Sequence, residues 1–168
     1  HIPTKEEVSA LESDVKFCQR SPSYRDQVRK CQDQQFRIAS SYTTREDQES
    51  RLKGFKQVKE LAEQGHPDGM CYYGILLNQG DIMGVDANPE QAVVWWERCV
   101  DYHRHILATY ELANAIYLGE GIAENPELAV VLFRRAANLG HAGAAYMLGE
   151  CLLDGVGVER DRANALEW

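Results

Sequence analysis

Glycine stands fourteen residues after a histidine three times in the chain: His66 to Gly80, His105 to Gly119, and His141 to Gly155. A small residue lies eight after each histidine, as Gly74, Ala113 and Gly149. Beyond the glycine and a short turn comes an Asn or Asp, then Ala four on, then a bulky apolar residue three further. These are Asn88, Ala92 and Trp95; Asn125, Ala129 and Leu132; and Asp161, Ala165 and Trp168. His66 and His105 are 39 residues apart, His105 and His141 are 36 apart, and the longer interval carries extra residues in "GDIMGVDAN". A unit of this length cannot bury its own apolar side. It must stack on copies of itself.

Each unit reads as two helices. In the first, small and apolar residues recur at helical spacing, such as Ala144, Leu148 and Leu152. Gly80, Gly119 and Gly155 end it, where the backbone is expected to turn left-handed. Asn88-Pro89 and Asn125-Pro126 open the second helix, with a capping side chain before a proline at the first helical position. "RRAANLGH" closes it at Gly140. The small residues let the paired helices approach closely, and a bulky side chain there would overpack the joint.

This pattern resembles the Sel1-like repeat, an α/α unit related to the tetratricopeptide repeat. The family motif runs small-x-Tyr-x-Leu-Gly, a Gly-x-Gly turn, Asp-x-x-x-Ala-x-x-Trp, then Ala-Ala-x-x-Gly-His. The third unit shows it nearly whole in Ala144, Tyr146, Leu148-Gly149, Gly155-Val156-Gly157-Val158, Asp161, Ala165 and Trp168. The second has Tyr110, Leu112, Gly119, Gly121 and the ending Ala136-Ala137-Asn138-Leu139-Gly140-His141. The first departs, with Cys71 at the Tyr position and "CVDYHRH" in place of the usual ending. "KELAEQGH" resembles the closing half of an earlier unit, so the likeness covers residues 53–168. It implies an all-α, right-handed α/α solenoid serving as an adaptor or scaffold, with room for association with a membrane-linked assembly. Some secreted members carry a cysteine pair in each repeat, and Cys71, Cys99 and Cys151 do not pair that way.

Residues 1–52 are more polar and read as a helical segment capping the solenoid, whose terminal face must be covered. Thr4 with Glu7 forms a capping box before Val8, Leu11, Val15 and Cys18, and Ser21-Pro22 breaks that helix. Tyr24, Val28, Cys31, Gln35, Ile38 and Tyr42 continue a three-four stripe, and Thr43 with Glu46 is expected to open a further helix running to Glu63. The alternative reading of the stripe is a seam for another chain, and the cap is preferred because the terminal face must be covered.

Composition narrows the function. At 168 residues and 44% hydrophobic the chain is globular and sized for one core. No apolar run reaches the roughly 20 residues of a membrane span, and no signal-peptide pattern leads the sequence. A start at His1 and an end at Trp168 inside a helical pattern are expected of a fragment. Residues 1–65 hold twelve Lys and Arg against eleven Asp and Glu, whereas residues 66–168 hold six against fifteen. That acidity argues against a nucleic-acid footprint and suits a basic or neutral peptide. Five cysteines without a CxxC pair suggest reduced, buried thiols in an intracellular protein.

Chemistry finds little support. "DGVGVERD" lacks the Lys-Ser/Thr of a phosphate loop, and it follows a helix where a dinucleotide loop follows a strand. His103 and His105 are two residues apart on a helix and point away from each other. His66, His105 and His141 occupy equivalent joints, which stacking separates. A Cys18–Cys31 bridge across a turn near Ser21 would need a reach beyond about 7 Å. Trp95 and Trp168 hold one repeat position and are expected in the core, while Trp96 has only Phe133 as counterpart. No nucleophile, paired carboxylate, cofactor loop or metal set stands out, so the expectation is no enzyme, no cofactor and no metal. The expected function is capture of a protein or peptide partner on the first helices. Tyr72, Ile75, Gln79, Glu111, Asn114, Met147 and Glu150 are the candidate contacts, because they differ between units. The alternatives are a fixed subunit of a larger complex, held through the N-terminal stripe, or a regulatory fragment of an enzyme.

Overall fold

The computed structural model describes residues 25–44, 46–80, 86–103 and 105–168. Eight helices and no strand occur among these residues. They are α1 (Arg25–Thr43), α2 (Gln48–Glu63), α3 (Pro67–Gln79), α4 (Pro89–His103), α5 (Ile106–Leu118), α6 (Pro126–Asn138), α7 (Ala142–Asp154) and α8 (Arg162–Ala165). The chain divides into two compact units. The described part of the first contains α1, α2 and α3 up to Tyr73; the second holds Gly74–Gly80 and Asp86–Trp168. The helix expected between Thr4 and Cys18 lies outside the described residues, as do Cys18, Ser21-Pro22, Tyr24 and the side chains of Val28 and His103.

Every full unit is punctuated as the sequence predicts. Asn88, Asn125 and Asp161 cap α4, α6 and α8, each side-chain oxygen accepting from the backbone N–H three residues on at 3.0, 3.0 and 3.1 Å. These acceptors satisfy donors that the first helical turn leaves free. Gly80, Gly119 and Gly155 have φ of 59, 71 and 75°, so the first helix of each unit stops in the left-handed region. The second glycine of the turn has its own task. An added Cβ at Gly121 or Gly157 would overlap the carbonyl of Pro89 or Pro126, the first residue of the preceding unit's second helix. "GVG" is therefore a seat for backbone contact between consecutive units.

The core forms at fixed offsets. Counting from each histidine, positions seven, eight, ten and eleven are buried in α3, α5 and α7 alike; in α5 these are Leu112, Ala113, Ala115 and Ile116. Counted from Cys31, α1 has the same register, with Ile38, Ala39, Ser41 and Tyr42 all buried. Phe36 then meets His66 at 5.5 Å, as Tyr110 meets His141 at 4.3 Å. The half-unit expected before His66 thus has an opening helix as well, one the sequence conceals because Cys31 replaces His and Arg45 replaces the glycine. Cys31, Ile38 and Tyr42, members of the N-terminal stripe, are buried within the first unit.

Two expectations need correction. Thr43 does not open α2; it is the last residue of α1, and its hydroxyl bonds to the Ser40 carbonyl and to Tyr72. Asp47 caps α2, accepting from the Ser50 N–H at 2.8 Å. A carboxylate at the cap also complements the helix dipole, which a threonine cannot do. The bulky core position of the second helix also lies one residue later than expected. Trp96 and Phe133 are 1% and 0% exposed, whereas Trp95 and Leu132 are partly exposed and Trp168 is 38% exposed. The buried stripe runs Ala92, Val93, Trp96, Cys99 and Val100, which leaves Trp95 at its edge under the Arg98 guanidinium. Gly74 opens the notch that the Trp96 indole fills, since an added Cβ there would overlap the ring.

Candidate partner-binding face

The three repeat histidines are helix N-caps. The Nδ1 atoms of His66, His105 and His141 accept from the backbone N–H of Gly69, Ala108 and Ala144 at 3.1, 3.2 and 3.1 Å. A neutral imidazole has one acceptor and one donor nitrogen, so these bonds place the ring proton on Nε2. In the first unit that proton points at Asp33 Oδ1, 3.0 Å from His66 Nε2. Asp33, His66 and Asp68 also bring one ligand atom each within 4.8 Å of one another, which invites a metal reading. The proton count opposes it. A cation on Nε2 would drive the proton to Nδ1, against the Gly69 N–H, and the cap of α3 would be lost.

The candidate contacts fall on offsets of the first helices that lie outside the fully buried set. Six and nine residues after the histidine stand Tyr72 and Ile75, Glu111 and Asn114, and Met147 and Glu150. Each pair is one turn apart on one helix face. Ile75, Glu111, Asn114 and Met147 are partly buried, and Gln79 and Glu150 are exposed. Tyr72 belongs to the first unit and is already engaged there. Its hydroxyl shares a 2.8 Å hydrogen bond with Thr43, and its ring meets Phe36 edge-on at 5.8 Å.

The charge environment is one-sided on α5 and α7. Burial holds the Glu111 carboxyl above the usual carboxylate range. Burial raises the Tyr117 phenol, and negative charge at Cys151 (once ionised), Asp154, Glu124 and Glu150 raises it further. Sequence reasoning missed Tyr117, Glu124 and Asp154, because α5, the following turn and α7 converge on the phenol only once the units stack. Cys151 is itself raised, first by burial and then by Asp154 and Glu150, which keeps its thiol protonated and a poor nucleophile. The described cysteines Cys31, Cys71, Cys99 and Cys151 are buried and unbridged.

The Sel1 repeat profile matches residues 67–98, 106–141 and 142–168. Chitin synthase regulatory factor 3 of Schizosaccharomyces pombe is 30% identical over 118 residues, which is 68% of this chain and 12% of that protein. Among solved structures, a Sel1 repeat protein from Oxalobacter formigenes superposes with a TM-score of 0.71 at 25% identity, over 99% of this chain and 44% of that one. The cysteine rich protein B of Helicobacter pylori shares the fold at a TM-score of 0.61 and 18% identity, over 87% of this chain and 98% of its own. The chain thus spans less than half of the fungal relative and of the Oxalobacter protein. Its capped helix pairs, turn glycines and buried offsets are those of an all-helical repeat solenoid, and the chain belongs to the Sel1 repeat family.

Proposed function

We propose that the chain is a non-catalytic adaptor that holds a protein or peptide partner on the first helices of its second unit. Sel1 repeat proteins generally mediate protein–protein interaction, and repeats of this family are typically non-catalytic. One observation supports the reading most. The buried offsets of α3, α5 and α7 stay small or apolar, while the ninth offset, outside that buried set, changes chemistry from Ile75 to Asn114 to Glu150. A surface used only to pack would need no such variety; a surface reading one partner does. The contacts proposed are Glu111, Asn114, Met147 and Glu150, with Ile75 and Gln79 on the end of α3. The fungal relative is named as a regulatory factor for a synthase, which suits a module that brings proteins together. Burial of Cys31, Ile38 and Tyr42 inside the first unit favours this reading over a subunit anchored by that stripe. The burial of Cys31, Cys71, Cys99 and Cys151 without a disulfide supports an intracellular setting.

The test is affinity capture followed by mass spectrometry with the wild-type chain and an E111Q/E150K variant. Partners that reach this face should be depleted several-fold from the variant's catch while its helical circular dichroism is retained. Equal recovery by both folded proteins removes the face from consideration.

A further inference from the structure

The imidazole caps tie three helix starts, those of α3, α5 and α7, each to the protonation state of one ring nitrogen, and they do so unequally. Ser, Thr, Asn and Asp keep an acceptor oxygen near neutral and mildly acidic pH, whereas a doubly protonated imidazole has none. Protonated Nδ1 at His141 would set a donor against the Ala144 N–H and a positive charge at the positive end of α7. Little there offsets the charge. The ring lies on the Tyr110 ring of α5 at 4.3 Å, α6 brings Arg135 in its last turn, and the first turn of α7 has no acidic residue. His66 differs. Acid would remove its Gly69 cap as well, but Asp33 of α1 lies 3.0 Å from its other nitrogen, and Asp68 of α3 stands in the same cluster. These carboxylates hold a charged ring in place.

We propose that the junction between α6 and α7 is a proton-operated joint, with His141 as its sensor, and that Asp33 protects the equivalent joint at His66. The sign follows from the geometry. The fold uses the neutral ring, so the stabilisation is present while the imidazole is neutral and is withdrawn as acid protonates it. The joint should therefore be looser at about pH 5.5 than at about pH 7.5.

The experiment compares urea unfolding midpoints at those two pH values for the wild type, H141N and D33N, with imidazole nitrogen chemical shifts of the wild type recorded alongside. Asparagine is a cap that does not titrate, so H141N should lose less midpoint on acidification than the wild type, by roughly 0.3–1 M urea. D33N should lose more than the wild type, because the His66 joint is then unprotected. The shifts should show His141 protonated on Nε2 at the higher pH. The proposal is overturned if H141N falls as far as the wild type, if D33N falls no further, or if His141 carries its proton on Nδ1.

Discussion

Glu111 shows how a single side chain can stand against the fold that carries it. Burial holds its carboxyl above the usual range, so the folded state favours the neutral form. That preference helps folding where the acid is protonated in both states, and the help is lost as pH rises through its folded titration. E111Q stays neutral throughout. It should therefore match the wild type near about pH 4 and exceed it in melting temperature near about pH 7, with the gap widening between. Equal melting curves at both ends would mean the carboxylate is not held under strain. If the same variant also weakens partner capture, a destabilised residue is being kept for binding. Trp95 and Trp96 make a second point at this scale. Sequence spacing chose the former for the core, and packing chose the latter, because the Gly74 notch receives the Trp96 indole.

At the scale of an element, the second helices set their depth by one stripe. Ala92, Val93, Trp96, Cys99 and Val100 face inward on α4, as Ala129, Val130, Phe133, Ala136 and Ala137 do on α6. Truncating W96A empties a site that is 1% exposed and should cost about 3–5 kcal/mol. W95A removes a partly exposed ring with Arg98 above it, and should cost less than half as much. Denaturant midpoints with unchanged slopes would measure both, and a reversed order would contradict the register described above. Helix starts and stops were legible in the sequence because caps and glycines act within a few residues. Asn88, Asn125, Asp161, Gly119 and Gly155 all stand where local chemistry put them. The cap at Asp47 was misread as Thr43 because both lie beside plausible first-turn partners, and only the backbone path through the turn separates them.

At the largest scale, the stacking of repeats within the second unit depends on backbone meeting backbone. Gly157 combines a φ of 65° with a site where a Cβ would overlap the Pro126 carbonyl. G157A should therefore destabilise the second unit by roughly 1–3 kcal/mol, more than a solvent-facing turn substitution. Thermal unfolding against a control at Gly140, where φ is also positive but no atom lies within 4 Å of an added Cβ, isolates the contact from the dihedral. Equal losses at the two glycines would remove the stacking role. The repeat period, helix pairing, turn positions and family likeness were all determined by the sequence alone, because they rest on residue identities at short, fixed offsets. The acidic surround of Tyr117, the pairing of Asp33 with His66, the capping use of the histidines and the repeat register of α1 were decided by tertiary structure. Those features join side chains on different elements, or, at the caps, depend on which ring nitrogen turns toward the backbone; spacing along the chain carries neither kind of information.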